Sequence, residues 1–188
     1  LRGFGEKRLL QQAYNFQEAA NSNRRGTQTI GEANWLMFDY NRGYSPDLES
    51  SGISDIFRIP KFAYSFYQSQ RDANVVLDSK LLSGPMVNIA NFWTDNSPLN
   101  VTVYSNCQEV ALYLNDVLVA KQKPSVNENS DKLNHAPFIF KMEKFEAGTL
   151  KAEGFIDGKK VVSDIVKTPE KASKIELSYD ISSIPINS

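Results

Sequence analysis

The chain has 188 residues, a length that allows one ordinary domain or a small domain together with part of another. Hydrophobic residues make up 41% of the sequence and charged residues 23%, with 21 Lys and Arg against 22 Asp and Glu. This near-neutral balance creates no field that would attract nucleic acid or an anionic membrane surface. We therefore expect a soluble globular chain, too short for a large self-contained enzyme, that binds neither nucleic acid nor membranes.

The first third of the sequence has helical and α/β character. Apolar residues recur at three- and four-residue spacings over residues 6–21, which predicts a helix. Residues 30–40 hold a continuous apolar run typical of a buried parallel strand. A polar loop at 41–55 follows, and Pro60 suits the first turn of a second helix that fades by residue 72. A single parallel strand leaves two unpaired edges, so residues 1–72 are predicted to be an incomplete α/β unit with its partners upstream.

Residues 73–168 change to the period of β-strands. Strands are predicted at 86–93, 99–104, 110–114, 137–142, 149–155 and 161–165. Asn115-Asp116 and Asp157-Gly158 are two-residue hairpin signals. About seven short strands at this spacing favour an antiparallel sandwich of immunoglobulin type. The polar segment 121–134 is interpreted as an exposed connection, and residues 169–188 as a linker or the start of a further β domain, with a strand beginning at Ile175-Leu177-Tyr179.

Three groups of motifs resemble glycoside hydrolase family 2, the β-galactosidase group. Residues 31–40 resemble the last barrel strand of that family, with Trp35 followed four residues later by Asp39 and then Tyr40. Residues 52–55 with Arg58 and 60–67 resemble its signature for the final barrel helix, and 101–115 resemble the opening of the sandwich domain that follows. The resemblance extends from about residue 31 to 166 and implies the end of a (β/α)8 barrel followed by an immunoglobulin-like sandwich.

The resemblance also implies the activity of the parent protein. Family members hydrolyse β-glycosides with retention, using two carboxylates about 5 Å apart. By the family's order both carboxylates lie upstream of residue 1, and the chain has neither an initiator Met nor a signal peptide, so we expect a piece that is not catalytic alone. The implied partners are a β-linked oligosaccharide or polysaccharide, upstream barrel and sugar-binding domains and possible further copies in a homo-oligomer, in a periplasmic or secreted setting.

No cofactor or metal is expected. Cys107 and His135 are the single cysteine and histidine, so an intrachain disulfide and a structural zinc site are excluded. The apolar runs are far shorter than the roughly 20 residues of a membrane-spanning helix.

Trp35 and Asp39 are the predicted substrate-binding residues. The resemblance places the Trp35 indole in the wall of the sugar pocket, where its flat face suits sugar C–H groups and its N–H suits a hydroxyl. The alternative for Trp35 is core packing. Asp39 could bind a sugar or anchor the loop that follows it. Tyr40 and Glu32 are interpreted as structural residues.

A second hypothesis is a stand-alone β-sandwich that binds carbohydrate or protein. Tyr104 and Tyr113 motivate it, because they alternate with core positions and are expected to be exposed. Trp93 is expected to be buried. A stand-alone module should bury Leu9, Phe16, Phe38 and Phe66 within the chain, whereas a fragment of an enzyme should leave them exposed or paired with another copy of the chain.

Overall fold

The computed structural model describes residues 5–78, 81–172 and 174–176. Two helices and eleven strands are formed by these residues. In chain order they are α1 Glu6–Arg25, β1 Tyr40–Asn41, β2 Leu48–Glu49, α2 Phe62–Ser69, β3 Val76–Asp78, β4 Leu81–Leu82, β5 Val87–Ala90, β6 Asn100–Ser105, β7 Glu109–Leu114, β8 Val117–Gln122, β9 Phe138–Lys141, β10 Thr149–Ile156 and β11 Lys159–Lys167.

The sandwich consists of two antiparallel sheets around a shared apolar core. One sheet has the order β11-β10-β7-β8 and the other β5-β6-β9. Inward-facing residues of both sheets, such as Val103, Leu112 and Phe138, are fully buried and form one cluster. Trp93 is also fully buried, as predicted, and its indole Nε1 donates to the Glu146 carbonyl at 2.9 Å. The predicted β-sandwich is therefore confirmed.

Two tight turns set the register of the sandwich hairpins. Asn115 and Asp116, between β7 and β8, have φ values of 51° and 64°. Asp157 and Gly158, between β10 and β11, have φ values of 50° and 73°. Positive φ at both central residues is the geometry of a type I′ turn, whose twist matches that of the flanking strands. Both hairpins predicted from these dipeptides are therefore present.

The two helices pack on each other and on the outer face of β6. Phe66 of α2 is fully buried and meets the Tyr104 ring at a centroid distance of 5.8 Å. The prediction that Tyr104 is exposed is wrong, because the helices cover the face of β6 that alternation turns away from the sandwich core. Both predicted helices are present, and α1 extends to Arg25, beyond the predicted end at residue 21.

The buried strand predicted at residues 30–40 does not form among the described residues. The segment is irregular, and Trp35 and Met37 are exposed. Within the described residues, Phe38 makes a parallel bridge to Ser54, and Tyr40 begins the short hairpin of β1 and β2. A buried parallel strand needs hydrogen-bonded neighbours on both edges and cover on both faces, which the described residues do not supply. The predicted strand at Ile175-Leu177-Tyr179 lies mostly outside the described residues.

The segment between β8 and β9 holds α1 in place instead of being a merely exposed connection. The Gln17 and Asn21 side chains donate to the carbonyls of Asn129 and Glu128 at 3.2 and 3.0 Å. Asp131 accepts from Arg25 at 2.6 Å and from the Asn21 amide at 3.1 Å. The polar residues that suggested a solvated loop therefore bind the polar face of a helix.

We expect this contact to weaken in acid. The Arg25 guanidinium and the Asn21 amide, which donate to Asp131, lower the pKa of that carboxyl below its usual range. The unfolded chain then takes up the proton first, so the contribution of Asp131 to stability is complete above its unfolded pKa of about 4 and is lost as the pH falls through its folded pKa.

The measurement is urea unfolding of the wild type and of Asp131→Asn between pH 7 and pH 2.5. The stability difference between them should be constant above about pH 5 and shrink below pH 4. Glu143→Gln, which neutralises an exposed carboxylate of the sandwich, should show no such trend. A difference that persists unchanged at pH 2.5 would contradict the assignment.

Candidate functional site

Trp35 lies on an exposed, irregular segment close to the start of α2. Its side chain is 75% exposed, and the peptide bond between Trp35 and Leu36 is cis. Other large apolar side chains of residues 30–59 are exposed as well: Ile30, Met37, Tyr44, Phe57 and Ile59. The Trp35 indole is therefore not part of the core that the described residues form.

The segment that follows Trp35 is held by the backbone of residues 50–54, which we call the support loop. The Leu36 carbonyl accepts from the Ile53 amide at 3.1 Å, and the Met37 carbonyl accepts from the Ser54 amide at 2.9 Å. The Asp39 amide donates to the Ser54 carbonyl at 3.0 Å. These bonds fix residues 36–39 along one edge, although no regular strand forms.

A buried ion pair joins this segment to α2. The Asp39 side chain is fully buried, and its Oδ1 lies 2.8 Å from Nζ of Lys61, whose side chain is 7% exposed. Lys61 is the N-cap residue of α2. The same Asp39 oxygen accepts from the Gly52 amide at 2.9 Å, and the Lys61 ammonium also donates to the Ser50 carbonyl at 3.1 Å. One carboxylate and one ammonium therefore connect the Trp35 segment, the support loop and a helix.

α1 contacts the same loop from another direction. The buried Gln12 side chain donates to the Gly52 carbonyl at 3.0 Å. Gly52 fits there because it has no side chain: an added Cβ would lie 2.4 Å from the Asp39 amide nitrogen and 2.5 Å from the Phe38 carbonyl carbon. Gln12 Oε1 and Asp39 Oδ2 are buried without a hydrogen-bond partner among the described residues.

The cationic side chains around the support loop are engaged. Arg42 forms an ion pair with Glu49 between the strands of the short hairpin. The Arg58 guanidinium lies over the Phe38 ring, 5.0 Å from its centroid. Lys61 is bound to Asp39, so Arg42, Arg58 and Lys61 all contact other residues of this region.

The predicted site residues therefore have different surroundings. Trp35 is presented to solvent, and its contact with a sugar stays a prediction. Asp39 has the partners of a loop-anchoring carboxylate, and its direct contact with a sugar also stays a prediction. Tyr40 is exposed, and exposed Glu32 accepts from the Asn23 amide at 3.1 Å.

Sequence reasoning missed the roles of Gln12 and Lys61. Lys61 stood in a recognised motif, but its spacing of 22 residues from Asp39 gives no local signal of pairing. Gln12 lies among the apolar positions of α1, and a polar residue at that face was the available hint.

The described residues contain neither a group of three His, Cys, Asp or Glu side chains that could hold a metal ion nor a helix long and apolar enough to cross a membrane. On the sandwich, Tyr113 is partly exposed and the Lys151 ammonium lies 4.8 Å from its ring centroid. Tyr104 is buried, so it offers no sugar platform.

Comparisons with known proteins identify a matching family model and several relatives of this chain. A family described as a domain of unknown function (DUF4982) matches residues 96–162. A beta-galactosidase of Thermoanaerobacter pseudethanolicus is 35% identical, with 80% of this chain and 21% of the relative covered. A beta-glucuronidase of Formosa agariphila is 32% identical, with 79% of this chain and 14% of the relative covered.

A solved structure has a similar fold. It is described as a beta-glucuronidase from glycoside hydrolase family 2, is 24% identical and covers 85% of this chain and 16% of its own, with a TM-score of 0.55. The chain spans about a fifth or less of the length of the relatives it matches. These relatives are glycosidases. The chain belongs to glycoside hydrolase family 2, as the sequence motifs predicted.

The close approach at Gly52 gives a test of the support loop. We expect Gly52→Ala to lower the free energy of unfolding by about 1–3 kcal/mol, because the new methyl group must displace backbone atoms of residues 38 and 39. Gly43→Ala is the matched control, since nothing lies within 4 Å of a Cβ at that position. Its effect should stay within about 0.5 kcal/mol. Equal effects of the two substitutions in urea unfolding would show that the loop does not approach Asp39 so closely.

Proposed function

We propose that this chain is part of a retaining β-glycosidase that acts on β-galactosides, and that it contributes Trp35 to the sugar pocket of the parent enzyme. The observation that carries the proposal is an exposed indole on a segment fixed by a buried ion pair. A flat apolar face held rigidly in the open suits the C–H face of a sugar ring. The relatives' glycosidase activities support the same assignment.

In this proposal the chain does not catalyse hydrolysis by itself. A retaining mechanism needs two carboxyl groups about 5 Å apart, one as nucleophile and one as acid and base. Asp39 and Glu49, the carboxylates of the region around Trp35 that form ion pairs, are bound to Lys61 and Arg42. The fully buried Asp39 carboxylate is out of reach of a sugar carbon in this arrangement, which supports catalytic carboxylates elsewhere in the parent polypeptide.

The charges around Trp35 support a neutral sugar over a uronic acid. A glucuronide carries a carboxylate that a binding site must meet with a cation or several donors. The cations Arg42 and Lys61 are paired with carboxylates of the chain itself. Arg58, the third cation of this region, lies over the Phe38 ring. Because two of the three cations are already paired with carboxylates, we infer that a galactoside is preferred over the glucuronides named for some of the relatives.

The domain organisation follows from the same proposal. Residues 1–72 complete a (β/α)8 barrel, residues 73–168 form an immunoglobulin-like sandwich that supports it, and residues 169–188 lead to a further domain. The division into sheets of three and four antiparallel strands supports the immunoglobulin-like assignment. The exposed apolar side chains of residues 30–59 support cover by upstream barrel elements of the same polypeptide.

Hydrolysis assays test whether the chain needs the rest of the parent polypeptide for catalysis. The 188-residue chain and the full-length parent polypeptide are compared on chromogenic β-galactoside, β-glucoside and β-glucuronide. We expect turnover only by the parent, with the β-galactoside preferred. Turnover by the short chain would refute the placement of the carboxylates outside it, and a preference for the glucuronide would refute the neutral-sugar assignment.

Trp35→Ala in the parent enzyme tests the predicted sugar contact. We expect kcat/KM for the preferred glycoside to fall at least about tenfold, which corresponds to about 1.4 kcal/mol of lost transition-state stabilisation. Tyr113→Ala is the control, because Tyr113 lies on the outer face of the sandwich and should leave kcat/KM unchanged. Unchanged kinetics of Trp35→Ala would remove Trp35 from the pocket.

Tyr113→Ala also tests the alternative of a stand-alone sandwich module. Burial of the four apolar side chains does not separate the two hypotheses. Phe66 is buried within the chain, whereas Leu9, Phe16 and Phe38 are only partly buried. Glycan titration of the 188-residue chain therefore decides, and binding that Tyr113→Ala abolishes would favour the module.

A further inference from the structure

The position of Trp35 depends on contacts that its own side chain does not make. Its indole is largely in solvent, and the backbone of residues 36–39 that follows it carries the hydrogen bonds that place this segment. That backbone is bonded to the support loop, and the support loop is bonded to the side chains of Lys61 and Gln12. Among these side chains, Lys61 alone also contacts the Trp35 segment directly, through Asp39.

We propose that Asp39 and Lys61 form a positioning pair that fixes the Trp35 indole for substrate binding. The inference rests on the proposed sugar contact of Trp35 and adds two residues to that site. Neither residue is assigned a contact with substrate in this role. The pair acts by holding residues 36–39 against α2, so that the backbone next to Trp35 occupies one position before the sugar arrives.

The burial of the two charges supports positioning over simple stabilisation. Buried ion pairs often contribute little net stability, because desolvation of both ions offsets their attraction. Here the geometry is demanding: Asp39 Oδ1 must meet both the Lys61 ammonium and the Gly52 amide, and the ammonium must also meet the Ser50 carbonyl. Three pieces of chain satisfy these bonds in one relative placement.

The contacts reach the backbone as well as the side chains. The Lys61 amide donates to the Ile53 carbonyl at 3.0 Å, so the start of α2 is also bonded to the support loop through the backbone. Ile53 in turn donates to the Leu36 carbonyl at 3.1 Å, one residue after Trp35. A displacement of Lys61 is therefore transmitted to the peptide next to the indole through two hydrogen bonds. Functional groups must be held to within about 0.5 Å of their productive geometry.

A double-mutant cycle in the full-length parent enzyme tests the inference. We expect Lys61→Met and Trp35→Ala each to lower kcat/KM for the β-galactoside at least about tenfold. In the Trp35→Ala background, Lys61→Met should lower it less than about twofold, because the residue that it positions is already gone. Lys121→Met is the matched control, since it breaks the exposed pair of Lys121 with Glu109 on the sandwich and should leave kcat/KM unchanged.

Asp39→Asn provides a second variant if Lys61→Met does not fold. The amide keeps the shape of the carboxylate and an acceptor for the Gly52 amide but removes the charge that binds Lys61. We expect the same loss of kcat/KM and the same absence of effect in the Trp35→Ala background. If Asp39 instead contacts the sugar directly, Asp39→Asn will lower kcat/KM in both backgrounds, and this additive result would overturn the positioning role.

Fluorescence supplies a readout that does not depend on activity. The measurement uses the 188-residue chain, which has two tryptophans, so that Trp93→Phe leaves Trp35 as the indole that is observed. In this background we expect Asp39→Asn and Lys61→Met to increase the fast component of the Trp35 anisotropy decay, whereas Lys121→Met should not. Unchanged anisotropy in both pair variants would overturn the inference.

The two proposals fail in different ways. If Trp35 does not contact sugar, Trp35→Ala will keep its activity while the anisotropy still depends on Asp39 and Lys61. If the pair does not position Trp35, Trp35→Ala will lose activity while the anisotropy is unchanged.

Discussion

The burial of Asp39 and Lys61 is the constraint on which the arrangement around Trp35 depends. A carboxylate removed from water must recover its lost solvation from fixed partners, and an unpaired buried charge is strongly destabilising. The Asp39 carboxylate finds an ammonium and a backbone amide, and the ammonium also finds the Ser50 carbonyl. These partners come from α2 and the support loop, so Asp39 can be buried only when both are correctly placed.

The sandwich supports this region through α1. Loop carbonyls and Asp131 between β8 and β9 hold the polar side of α1, while Tyr104 of β6 packs against Phe66 of α2. α1 then presents Gln12 to the support loop. Packed and hydrogen-bonded contacts therefore run from the sandwich core to the segment that carries Trp35. The sandwich can in this way contribute to the geometry of the Trp35 segment.

The elements that the sequence predicted well are those specified by local chemistry. Asn115-Asp116 and Asp157-Gly158 determine their hairpins within a few residues, and the periodicity of α1 and α2 marks their buried faces. The errors concern partners distant in the chain. Alternation gave Tyr104 a face opposite Val103 but could not show that α2 covers that face. The run at 30–40 had the composition of a buried strand, and its conformation depends on neighbours outside its own sequence.

The candidate site was predicted in the same uneven way. Family motifs pointed to Trp35 and Asp39, yet they gave no reason for the two residues to be joined. The reason appears only when Lys61 and Gly52 are brought to one carboxylate oxygen. The Gly52 Cβ position shows the steric side of this constraint, because any side chain there would overlap the Asp39 backbone.

The two sides of the Trp35 segment differ in polarity, with charged groups buried on one side and an apolar ring exposed on the other. On the inner side, the Asp39 and Lys61 charges are buried and paired, while Asp39 Oδ2 has no hydrogen-bond partner among the described residues. Such a buried polar arrangement is sensitive to every atom involved. On the outer side, the indole leaves a large apolar surface in water, which lowers stability relative to a covered ring. The neighbouring exposed side chains of residues 30–59, such as Ile30 and Met37, share this property with the indole. A large exposed apolar surface of this kind favours cover in the parent polypeptide, by upstream elements or by a sugar ring against the indole.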